Sequence, residues 1–254
     1  MRLQVSKGLL LLFFALSFAK PTIGEAQDDS SAEDFLTAKK FQQALGKNDR
    51  QAVAKLVQFP LRNVEPLASI KNPREFVARW DELFDATNTP NLLKADAEEM
   101  GWRGTALLNG TVWFKNGKII AINSQTAVYK KALQTAIKLD SAKLYPTARG
   151  FDKVTFQCRT KKLYIRAQQH GDDLRYFAWK MGASLLTKPE LELTGGKYDP
   201  QGTSGNYNLE FNNNGFTYSL MVGHYICGED CNDYLAVSQG DKQLSNEVCT
   251  EVKP

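Results

Sequence analysis

The sequence predicts an α+β protein made of two unlike halves, and three observations carry that reading. Apolar residues recur at helical spacing up to about residue 84, then switch to a strand-like alternation before residue 125. A Pro/Gly break at 145–150 precedes a second, longer stretch of alternation that continues to the end of the chain. All four cysteines, Cys158, Cys227, Cys231 and Cys249, fall in that second stretch.

The first half spans about residues 30–125. Phe35, Ala38, Phe41 and Leu45 line one face of a helix over 32–45, and Gly46 stands where it stops. Asp49 caps a second short helix with the stripe Ala52, Val53, Leu56 and Val57, which Pro60 ends. Phe59 to Arg62 reads as a short strand. Asn72-Pro73 followed by Glu75 opens a third helix, its apolar face formed by Phe76, Val77, Trp80, Leu83 and Phe84. Val112-Trp113-Phe114 and Ile119 to Ile122 then flank Lys115-Asn116-Gly117-Lys118. Asn-Gly tolerates the two positive-φ positions of a tight turn, so this is a hairpin.

Residues 126–150 form a helical connector, with Ala127, Val128, Lys131, Leu133 and Ile137 on or near one face and Pro146 and Gly150 breaking it. Residues 151–254 read as short strands: Val154 to Cys158, Lys162 to Ala167, Leu174 to Trp179, Tyr207 to Phe211, Phe216 to Leu220, Leu235 to Val237 and a segment near Val248. Close spacing of that kind favours a small antiparallel barrel or sandwich.

Residues 1–26 have the parts of a secretory signal peptide: Arg2 and Lys7, the apolar run Leu9 to Phe18, and small residues at Ser17/Ala19 and Gly24/Ala26 that offer two cleavage points. A periplasmic or secreted location follows, and in an oxidising compartment the cysteines are expected to pair. Four cysteines allow three pairings. Cys158 in the first strand of the second half and Cys249 in the last would tie the sheet together, leaving Cys227 with Cys231 around Gly228-Glu229-Asp230. The rival is a metal site from His224, Cys227, Cys231 and Cys249, but that spacing matches no standard zinc module, so neither metal nor cofactor is expected. With 43% hydrophobic and 24% charged residues the chain is an ordinary globular one. Its formal charge of +4 drops by two when residues 1–26 are removed, too little for a nucleic-acid binder, which needs clustered cations. After the signal no apolar run approaches the roughly 20 residues of a membrane span.

The helix-helix-strand order, Phe59-Pro60-Leu61, Glu75 to Phe84, Asn109 to Phe114 and Gly117-Lys118-Ile119 resemble exported members of the cystatin-like cone fold, the class of nuclear transport factor 2 and SnoaL-like proteins. The resemblance implies a curved sheet around a pocket, where relatives use an Asp, sometimes with His, to move a proton. This chain departs from it: its two histidines are His170 and His224, outside that half. Asp81, Asp85 and Asp96 are the candidate carboxylates; Asp81 and Asp85 lie on the outward face of their helix and none has a visible partner, so no catalytic residue is assigned. Trp80, Trp102 and Trp113 are expected in the core. In the second half Ser184, Ser204 and Ser219 lack a nucleophile-elbow context, and His170, beside Asp172 and Asp173, is expected to be exposed.

Thr203-Ser204-Gly205-Asn206-Tyr207 resembles the Ser-Gly-x-x-Tyr loop of exported inhibitors of chicken-type lysozyme. In that family a serine-bearing loop and a nearby basic residue occupy the two catalytic carboxylates of the enzyme. Carried over, Ser204, Gly205 and Tyr207 match; the family's aromatic-Lys-Gly segment is Phe216-Thr217-Tyr218 here, so Lys197 is the candidate basic group. The function expected is therefore an exported binding protein without catalysis, lysozyme-inhibitor-like or otherwise protective, whose partner is a lysozyme-like or other envelope protein. The alternative is a small-molecule carrier or isomerase-type enzyme using a pocket of the first half.

Overall fold

The structure is a computed structural model that describes residues 29–201, 206–223 and 233–251. The proposed signal at 1–26, Ser204 with Gly205, and His224, Cys227 and Cys231 lie outside the described residues.

Helix α1 (Asp29–Gly46) buries Ala38, Phe41, Ala44 and Leu45 along the expected stripe. Asp49 caps α2 (Arg50–Leu56) by accepting from the Ala52 amide at 2.9 Å. Strand β1 (Val57–Arg62) starts at Val57, earlier than Phe59, because Val57 and Leu61 both point into the core. The expected third helix is two: α3 (Pro73–Ala78), capped by Asn72, and α4 (Trp80–Leu83). Arg79 makes the break. Its guanidinium reaches back to the carbonyls of Ala68 (2.6 Å) and Ser69 (3.1 Å) while pairing with Glu82. A short α5 (Thr89–Lys94) and β2 (Ala97–Glu99), neither anticipated, lead into β3 (Thr105–Leu107), β4 (Val112–Lys115) and β5 (Lys118–Ile122).

These five strands form one sheet in the order β1-β5-β4-β3-β2, with β1 parallel to β5 and the rest antiparallel. Asn116 and Gly117 have φ of 52° and 67°, the left-handed pair that the hairpin turn demands. The Gly117 amide donates to the buried Asp34 carboxylate of α1 at 2.8 Å, tying helix to hairpin. Inside, Phe41, Phe76, Trp80, Phe84 and Phe114 touch ring to ring, with centroids 4.5–6.4 Å apart.

Helix α6 (Ala127–Ser141) follows, capped by the buried Thr126, whose hydroxyl accepts from the Tyr129 amide and donates to the Glu82 carbonyl. Beyond it run β6 (Lys153–Arg159), β7 (Leu163–His170), β8 (Asp173–Lys180), β9 (Leu191–Leu193), β10 (Lys197–Gln201), β11 (Asn206–Asn213), β12 (Phe216–Val222), β13 (Asp233–Gln239) and β14 (Lys242–Glu251). The barrel expectation is corrected here. The nine strands make one antiparallel sheet, β10-β11-β12-β13-β14-β6-β7-β8-β9, whose ladder does not close. The sheet nevertheless bends over itself. β8 and β11 are six strands apart, about 29 Å in a flat sheet, yet the Tyr176 and Phe211 rings are 5.4 Å apart. The bend lets Phe156, Ile165 and Tyr176 share one interior with Leu209, Leu220 and Leu235. Closure fails because β9 and β10 are successive pieces of one stretch, each hydrogen-bonded to a different edge and separated by Thr194-Gly195-Gly196. Gly196 is needed there: a Cβ would stand 2.2 Å from the Phe211 ring.

Cys158 and Cys249 are bonded, as read from the sequence, and join β6 to β14. No helix among the described residues is long and apolar enough to cross a membrane.

Candidate functional site

Three places could carry function, and the first is the β10–β11 hairpin. Its register pairs Lys197 with Glu210, Tyr198 with Leu209, Pro200 with Tyr207 and Gln201 with Asn206. Leu209 and Phe211 point into the core, so Tyr207 and Tyr198 share that side by the two-residue period. Tyr207 is held there: its hydroxyl donates to the Thr155 carbonyl at 3.1 Å and its ring stacks on Tyr198 at 5.1 Å. Tyr198 is 58% exposed because β10 is an edge strand, and all five residues of β10 are exposed. Lys197 opens β10, so four residues of extended chain, about 13 Å, separate it from Gln201 at the loop end. Tyr207 is therefore near the end of the hairpin from which the chain runs on to residues 202–205, and Lys197 is at the other end. β10 was not among the strands expected from the sequence; it accommodates Pro200 because at an edge the missing N–H has no neighbour to serve.

Of the three candidate acids in the first half, two are exposed and one is a structural group. Asp81 is 77% exposed in its side chain and lies 3.8 Å from Arg50, and Asp96 is exposed. Asp85 accepts from the Thr87 hydroxyl and amide, the Asn88 amide and, at 2.8 Å, the Ala127 amide that opens α6. Partial burial opposes its ionisation, but these bonds outweigh it and hold the carboxyl down to about 2. A base needs the opposite shift. Because the folded value lies below the ordinary one near 3.9, this contribution is complete above about pH 4 and is lost as pH falls toward 2. Asp85→Ala should cost about 1–2 kcal/mol at pH 7, the value of a lost cap, and little at pH 2. Urea denaturation at the two pH values checks this. Trp80 is in the core as expected, Trp113 is half-buried under the Arg103 guanidinium, and Trp102 corrects the expectation: it is 76% exposed on the turn Gly101–Arg103 between β2 and β3.

The third place was missed by sequence reasoning. Leu144, Ala148 and Phe151, just after α6, pack on Phe177 and Trp179 of β8. Beneath them Arg166 of β7, 1% exposed, pairs with Asp140 of α6 and lies 4.9 Å from the centre of the Phe151 ring. Gln168, fully buried, is satisfied when its amide oxygen faces Arg166 (3.1 Å to Nη2) and its nitrogen donates to the Ala148 carbonyl at 3.1 Å. His170, expected to be exposed, is half-buried between the rings of Phe151 and Phe177. Burial and the nearby Arg175 push its pKa down. The legible signal was Arg166-x-Gln168 following the apolar run Leu163 to Ile165 and interleaved with Ala167, which leaves both faces of that part of the strand to be buried.

Comparison with protein-family models, curated proteins and solved structures finds no match to this chain.

Proposed function

We propose that this chain is an exported binding protein that acts by contact and not by chemistry, and that its contact element is the β10–β11 hairpin with the Ser204 loop at its tip. The observation that carries the reading is the hairpin's construction. An edge strand exposed along its whole length is backed by the Tyr198–Tyr207 stack and by the Tyr207–Thr155 bond. A stiff element loses little entropy on entering a cleft. A hydroxyl from Ser204 can hydrogen-bond a carboxylate pair, the chemistry by which inhibitors of chicken-type lysozyme block their target. The partner would then be a lysozyme-like protein. Lys197 lies too far along β10 to share that contact with the loop tip and would pair at its margin. The first half, with a cystatin-like cone as its proposed fold, acts as a scaffold in this reading: aromatic rings fill the space between α1 and the sheet.

The test is a lysis assay with chicken-type lysozyme, using the chain from Gln27 onward. The protein should slow lysis at micromolar concentration, Ser204→Ala should weaken inhibition about tenfold (about 1.4 kcal/mol), and Lys197→Ala should weaken it less. Lysis that proceeds unchanged in the presence of the parent protein would overturn the proposal.

A further inference from the structure

We infer that the groove beside α6 is a binding site for a small amphipathic carboxylate, one with an aliphatic or aryl body. The groove is shallow and open to solvent, with a volume of about 550 Å³ between one face of α6 and the segment that follows it, within the range of roughly 300–1,000 Å³ typical of small-molecule sites. Its floor is apolar and firm. Phe151, 4% exposed, forms the base, and the half-buried Leu133 and Ile137 form the wall.

The rim selects the charge. Lys138 and Arg149 both line the groove, and no carboxylate of the described residues lies within ion-pair distance of either. Arg149 is fixed rather than loose: its Nε donates to the Leu144 carbonyl at 2.7 Å, which holds the guanidinium against the end of α6. Behind the floor, the Arg166 guanidinium stacks on the far side of Phe151. The rim acid, Asp152, has one oxygen taken up by the Gly171 amide at 2.6 Å. Two cations at the edge of a greasy floor match a ligand with one anionic end and one apolar body. Such a ligand would also cover α6, a helix of 15 residues with none buried. This inference stands apart from the lysozyme reading, since the groove and the β10–β11 hairpin share no residue.

Titration of the chain from Gln27 onward with decanoate, below its micelle concentration, tests the site by calorimetry. One saturable equivalent is expected. Decyltrimethylammonium, with the same body and the opposite charge, should bind at least tenfold more weakly. The double variant Lys138→Gln, Arg149→Gln should bind decanoate about tenfold more weakly, the combined effect of two partly screened charges. Ile137→Asp, which puts an acid into the wall, should abolish binding. Circular dichroism of each variant verifies that it is folded; a variant that unfolds is replaced by Gln134→Glu, on an exposed rim position, which should also weaken decanoate. No saturable decanoate binding, equal binding of the cationic amphiphile, or undiminished binding by the folded variants would overturn the inference.

Discussion

Replacing Cys158 and Cys249 together by alanine should lower the unfolding free energy by about 4–5 kcal/mol. The bridge spans 91 residues, and closing so long a loop in the unfolded chain removes much of its entropy. Its place in the sheet adds to the effect. Among the described residues β14 and β6 share two ladder pairs, Thr250 with Arg159 and Glu251 with Cys158, and the bridge lies beside them. The bond thus fixes covalently the seam at which the two ends of the second half meet in the sheet. Both cysteines are buried, at 0% and 4%, so alanine is the right replacement: serine would bury a hydroxyl without a certain partner. Urea denaturation of the double variant measures the loss. Amide exchange should accelerate most for Arg159 and Thr250, and least within the β7–β8 ladder. A loss under about 1 kcal/mol would mean that the shared interior of Phe156, Ile165, Leu209 and Leu220 holds the bent sheet without the staple.

What could be read from the sequence was local. Asn116-Gly117, the caps Asp49 and Asn72, the stripe of α1 and the strands bearing Cys158 and Cys249 all depend on residues within a few positions of one another, and all are present. What escaped was either short or non-local. β2 and β9 have three residues each, too few to show a period. The parallel pairing of β1 with β5 joins segments far apart in the chain, which no window of sequence reveals. β10 contains Pro200, whose tolerance depends on its being at an edge. The open ladder was also beyond reach, because alternation gives the faces of strands and not whether the last finds the first. Of the candidate residues, Tyr207 and Lys197 stand at opposite ends of the β10–β11 hairpin, a separation set by the length of β10. The buried Arg166 escaped because nothing near it in sequence is acidic; its partner Asp140 comes from a helix that precedes the second half.

That pair supplies the second large effect, and the asymmetry of its burial sets the sign of the test. The side chain of Arg166 is 2% exposed and that of Asp140 is 37% exposed. Asp140→Ala leaves a guanidinium buried under Phe151 with the uncharged Gln168 and Tyr164 beside it and no counter-charge, and should cost about 3 kcal/mol, the lower part of the range for breaking a buried pair. Arg166→Met leaves a carboxylate that can turn to water and puts an apolar chain against Phe151, so it should cost about 1 kcal/mol, mostly the hydrogen bonds to Gln168 and Tyr164. In the Arg166→Met background, Asp140→Ala should add almost nothing, because the charge it would have orphaned is gone. Urea denaturation of the two single variants and the double variant completes the cycle. Equal losses from the two single variants would mean that Asp140 and Arg166 contribute as a solvated pair, and that the packing of Leu144, Ala148 and Phe151 on β8 alone fixes the end of α6 to the second sheet.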